Sequence, residues 1–199
     1  MISERERDAV PLLCGRRAEV QFLFAVISVV RAKRRKGFAM QTYSQCLPDA
    51  FVRHLLLPRS MVTLTIRKLR EAGRITRGYR MAPPPGQRDI ARIVLALSAM
   101  KPTAAVEHGR TTGRLCGPGG NAEDALVDLI EAAVGIANHD VDLTNGEVVI
   151  GQKVPLVEIH SGAKPAPTVY GKRPALGAAA YTHLPTTAIA RIAQEILHV

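Results

Sequence analysis

The chain has 199 residues and 47% hydrophobic content, enough for one large or two small cores and too apolar for a disordered protein. Aromatic residues make up 4% and Trp is absent, so the core must be built mostly from Leu, Ile, Val and Ala. The net charge of +10 is unevenly held: residues 1–100 carry 19 Lys/Arg against 7 Asp/Glu, residues 101–199 carry 8 against 10. A cationic half beside a slightly acidic one is the footprint of a protein that meets a polyanion, with nucleic acid the commonest case.

Cys14, Cys46 and Cys116 are odd in number, far apart and form no CxxC pair, which argues against a zinc ribbon or a disulfide framework. Reduced thiols and a cytoplasmic location are expected. The apolar run Phe22–Val30 is nine residues long, too short to span a bilayer, and follows a mixed-charge start unlike a secretory signal.

In chain order, residues 1–16 read as a short arm. Residues 17–36 lack Pro and Gly and predict a helix with Val20, Leu23, Phe24, Ile27 and Val30 on one face, ending at Gly37. Its last turn holds Arg34, Arg35 and Lys36, cations that suit the helix dipole and could clamp phosphates. A second helix is expected from Leu47-Pro48-Asp49 to about Leu56, with Pro at the first helical position. Pro58 then opens a third helix running to Ala72 and capped by Gly73. Residues 74–81 predict a short strand pair turning at Gly78.

Pro83-Pro84-Pro85-Gly86 reads as a linker, dividing a domain at 1–82 from one at 87–199. Further helices are expected at 87–100, 103–109 and 122–134, the last with Asn121 as N-cap and Gly135 as its stop. Asn145-Gly146 between Val141–Thr144 and Glu147–Ile150 predicts a hairpin with a type I′ turn, and residues 154–160 a third strand, so that the sheet covers 141–160. Residues 161–180 read as a loop, and residues 185–197 as a last amphipathic helix. The class expected is α+β: helices, a small antiparallel sheet and a C-terminal helix.

The most specific stretch is residues 57–79, LPRSMVTLTIRKLREAGRITRGY. Val62, Ile66 and Leu69 recur at i, i+4 and i+7 and give the third helix one apolar face, while Arg59, Ser60, Thr63, Arg67 and Arg70 occupy the other. Such a helix can pack inward while offering donors to a major groove. Arg59, Ser60, Met61 and Thr63, in its first turns, are the expected base readers. Arg67 and Lys68 lie further along and suit phosphates.

With a small-polar start, the Arg-Lys-Leu-Arg-Glu-Ala-Gly exit and an Ile-bearing strand after it, residues 47–81 resemble the winged helix-turn-helix proteins of bacteria and their phages. The resemblance implies an N-terminal winged helix-turn-helix, with Arg74, Arg77 and Arg80 on or beside the wing against the DNA backbone or minor groove. Residues 87–97 also resemble the helix after the wing in uncharacterised prophage proteins.

The function implied is a sequence-specific regulator of transcription that binds double-stranded DNA, encoded by a phage or mobile element. It would act as a homo-oligomer, a dimer in the usual case because a two-fold protein matches a palindromic site. A ring-forming small terminase subunit and a winged helix that docks proteins without DNA are the alternatives.

No cofactor, metal or catalytic role is expected. The six histidines form no HxxxH or HExxH pattern. The Gly117-Pro-Gly-Gly loop lacks the Gly-Lys-Ser/Thr ending of a phosphate-binding loop. Glu123, Asp124, Asp128 and Glu131 share a helix and read as a solvated or docking face.

Overall fold

A computed structural model describes residues 43–77, 83–136, 143–162, 166–174 and 179–197. The expected helix at 17–36, with Arg34, Arg35 and Lys36, and position Arg80 lie outside the described residues. All described residues belong to one compact unit, Thr42–Val199.

The helices are α1 (Tyr43–Leu55), α2 (Arg59–Glu71), α3 (Gln87–Leu97), α4 (Ala105–Gly113), α5 (Ala122–Ala133) and α6 (Thr186–Leu197). A two-residue hairpin, β1 (Cys116–Gly117) and β2 (Gly120–Asn121), leads into α5. The main sheet joins β3 (Glu147–Gly151), β4 (Leu156–His160), β5 (Thr168–Gly171) and β6 (Tyr181–Pro185) in the order β5-β4-β3-β6, antiparallel throughout. The chain is therefore α+β with a small antiparallel sheet and a helix after it.

Local chemistry explains several boundaries. Pro58 stands at the N-cap of α2. At its other end Gly73 takes φ +64°, its N–H bonds the Arg70 carbonyl and the Arg74 N–H bonds that of Leu69. These paired bonds satisfy the last carbonyls of a helix and require a left-handed residue, which Gly supplies without a Cβ clash. Asn121 caps α5 by accepting the Asp124 N–H at 2.9 Å, with Glu123 and Asp124 in the positive first turn.

The core is mostly aliphatic, with Phe51 and Tyr170 as aromatic members. Phe51 of α1, Val62 and Ile66 of α2, Ile90 and Leu95 of α3, Ile130 of α5, Ile150 of β3 and Ile189 and Ile192 of α6 join one buried cluster. Each such side chain contributes about 1.5–3 kcal/mol on burial. On the sheet, Val148 and Ile150 are paired with Ile159 and Val157, and Val148 also with Leu184, so one face of three strands feeds the same cluster. The helix pair before Pro83 thus shares its core with the elements after Gly86, and the boundary expected at 82/87 does not separate two cores.

Other expectations are corrected by the same packing. α1 begins at Tyr43, four residues before Leu47, and carries Pro48 inside. Pro there forgoes one backbone bond early in the helix, while Leu47, Ala50 and Phe51 on either side of it are buried. α4 continues through Gly109 to Gly113. Residues 74–77 form no strand, and the remainder of the strand pair expected at 74–81, with its turn at Gly78, lies outside the described residues. The expected strand at 141–144 is absent over 143–144, because both edges of β3 are already taken, by β4 and β6. Asn145 does not adopt the positive φ of a type I′ turn. Gly146 is instead demanded by close approach: a Cβ there would stand 2.7 Å from both the His160 carbonyl and the Thr186 hydroxyl. Its own carbonyl accepts the Thr186 N–H at 3.0 Å. β5 and β6 fall in or after the stretch read as a loop.

Candidate nucleic-acid interface

The turn between α1 and α2 is three residues long, Leu56-Leu57-Pro58. Leu56 lies at φ +54° and is 87% exposed. Left-handed backbone in a residue with a γ-branched side chain is costly and is held here by the buried helices on either side.

The turn delivers α2 with two chemically distinct faces. Val62, Thr65, Ile66 and Leu69 are buried. Arg59, Ser60, Thr63 and Arg67 are exposed, with Met61, Leu64 and Lys68 half-buried between them. Arg59, Ser60, Thr63, Leu64 and Arg67 together line an open concavity along the helix. The spacing of the apolar residues dictates this division, since 62, 66 and 69 fall on one stripe.

Ion pairs hold part of this face in place. Arg59 Nη2 lies 2.8 Å from Asp49 Oδ1 of α1. Lys68 Nζ and Arg67 Nε reach Glu71 at 3.0 and 3.6 Å. These are exposed contacts, each worth about 0–1 kcal/mol, and a phosphate could replace Glu71 as partner at little cost.

Two expected contact residues point elsewhere. Arg70 is half-buried against Leu47, Ile75, Pro83, Pro85 and Asp89. Burial pushes its guanidinium pKa down, and the Asp89 carboxylate offsets part of that. Arg74 donates to Glu123 Oε2 at 3.1 Å. The reason is positional: residue 70 follows Ile66 by four and faces inward with it, and Arg74 lies past the helix end beside α5. Arg77 is exposed on the segment after α2.

Glu123 was not legible as a buried group. It is 8% exposed and receives Arg74, Arg88 at 3.1 Å and Arg92 at 2.8 Å. Arg92 also donates to the Arg74 carbonyl at 2.7 Å. One carboxylate at the start of α5 thereby ties α3 to the exit of α2. Its i+3 and i+4 apolar neighbours, Leu126 and Val127, resemble those of any surface helix, so its burial is not legible from spacing.

A Ser–His contact also escapes sequence spacing. The Ser98 hydroxyl donates to the Leu95 carbonyl at 2.7 Å, so His108 Nε2, 2.9 Å away, is the donor to Ser98 Oγ. Ser98 is 1% exposed. Buried and spent on a backbone carbonyl, it joins α3 to α4 and is not presented to a substrate. Among the described residues no group of three His, Cys, Asp or Glu is placed to hold a metal ion, and no helix is long and apolar enough to cross a membrane.

No protein-family model, curated protein or solved structure matches the chain.

Proposed function

We propose that the protein binds double-stranded DNA through a winged helix-turn-helix, with α1 and α2 as the helix pair, and acts as a sequence-specific regulator of transcription of the phage or mobile-element type. The observation that carries the reading is the division of α2: four residues anchored in the core, and a polar, cationic face of Arg59, Ser60, Thr63 and Arg67 left open. A recognition helix must be rigid behind and rich in donors in front. The cationic excess of residues 1–100 supplies the long-range attraction that brings such a helix to a duplex.

Roles follow from position on the helix. Ser60 and Thr63 reach base edges, with Met61 offering an apolar contact beside them. Arg67, Lys68 and Arg77 hold phosphates. Arg59 shares its charge with Asp49 and turns to the DNA when a stronger acceptor arrives. Arg70 and Arg74 take no part. A dimer would present two such helices to a palindromic site.

Fluorescence anisotropy with a random duplex at 50 and 200 mM salt tests this. The expected outcome is binding that weakens on the order of 10³-fold or more across that interval, the signature of six or more phosphate contacts. Absence of binding at the lower salt contradicts the proposal.

A further inference from the structure

The slightly acidic half of the chain holds a basic patch of its own. Eight Lys/Arg lie in residues 101–199, and five of them, Arg110, Arg114, Lys153, Lys172 and Arg173, come from three segments that meet around Gly171. Gly171 sets the meeting point. A side chain there would run into the Pro155 carbonyl of the β3–β4 turn and stand 3.3 Å from a Leu115 methyl at the exit of α4. Lys153 is therefore two residues from one contact, Arg114 one residue from the other, and Lys172 and Arg173 follow Gly171 itself. Arg110 lies one turn before Arg114, on α4.

All five are exposed. Their carboxylates are few. Glu158, 12% exposed at its side chain, is 2.6 Å from Arg173 and 3.3 Å from His160, and Glu107 lies 3.7 Å from Arg110. Arg114, Lys153 and Lys172 form no ion pair with a described residue. Three exposed cations outside helices and strands, each within two residues of a contact at Gly171, suit a partner with closely spaced negative charges.

We infer that this patch is a second phosphate-binding surface, which contacts the nucleic-acid backbone apart from α2. The inference rests on the DNA-binding reading above and extends it. Arg114, Lys153 and Lys172 lie outside the helices and strands, so the patch adds affinity and salt dependence without sequence choice. Arg173, fixed by Glu158, keeps the loop after β5 in place, while Arg114, Lys153 and Lys172 supply the contacts.

The test compares the full chain with a triple variant, Arg114→Gln, Lys153→Gln and Lys172→Gln, by anisotropy on a random duplex over a salt series. The three positions are exposed, so thermal melting should be unchanged and reports folding independently. Loss of three phosphate contacts should lower the slope of log affinity against log salt by about 2–3 and weaken binding at 50 mM salt on the order of tenfold or more. A slope equal to that of the unmodified chain overturns the patch and leaves the role of α2 standing. Failure of the unmodified chain to bind any duplex at low salt overturns the DNA-binding reading and the patch with it.

Discussion

At the scale of single residues, burial decides which charged groups can serve a partner. Glu123 and Asp128 lie five apart on α5, yet one is a hub for three arginines and the other is exposed. Arg67 and Arg70, three apart on α2, divide in the same way. Sequence spacing puts Arg70 with the exposed set, because an apolar stripe through 62, 66 and 69 leaves position 70 outside it. Pro83 and Pro85, which read as a linker in the sequence, line the same small cleft as Arg70.

His108 gives the residue scale its clearest consequence. Burial depresses its pKa below the ordinary 6.5, so on acidification the unfolded chain takes up the proton first. The stability due to the neutral, hydrogen-bonded ring is complete above about pH 6.5 and is lost as pH falls through the lowered folded value. In urea unfolding, His108→Gln should be less stable than the parent by about 1 kcal/mol at pH 7.5. That gap should narrow steadily towards pH 5. A gap independent of pH would show that the ring is not held neutral by the fold.

At the scale of elements, helices were easier to read than strands. Pro58, Gly73 and Gly135 act through their backbone conformation and Asn121 through its side-chain oxygen, and each marks an end of α2 or α5 as expected. The start of α1 was set too late, because a proline inside a helix is indistinguishable in sequence from one that opens it. Asn145-Gly146 carries a strong turn signal, yet Gly146 is needed for its closeness to β4 and α6. That is a long-range constraint which no local pattern encodes. β5 and β6 are four and five residues long among Gly, Ala and Pro, and they become strands only because β4 and β3 present open edges.

The turn between α1 and α2 is an element with a measurable cost. Leu56 holds a left-handed conformation worth about 1–2 kcal/mol of strain for a residue with a Cβ. At 87% exposure it recovers little by packing. Leu56→Gly should remove the strain, lose about 0.5–1 kcal/mol to the greater freedom of the unfolded chain, and stabilise the protein by a net ~0.5–1 kcal/mol. A raised midpoint in thermal or urea unfolding is the expected result. A lowered midpoint would mean that the Leu56 side chain makes a contact worth more than the strain.

At the scale of the whole molecule, the helix pair and the sheet-bearing half are built on a shared core. A load on α2 is therefore carried into α1, α3 and α4, which pack against it, and through them into α5 and α6. The Glu123 hub strengthens this link, since Arg74 leaves α2 and Arg92 belongs to α3. The charge asymmetry of the chain was legible from composition alone. The local patch around Gly171 was not, because its members are separated by up to 63 positions and are assembled only by the sheet.

The central claim is that the open face of α2 meets duplex DNA, and amide chemical-shift mapping tests it most directly. Titrating a random duplex into the isotopically labelled full chain at low salt should move the amide signals of Arg59–Arg67 most strongly among the helices, with those near Arg114, Lys153 and Lys172 following. Shifts confined to other helices, or none at all, would contradict the account.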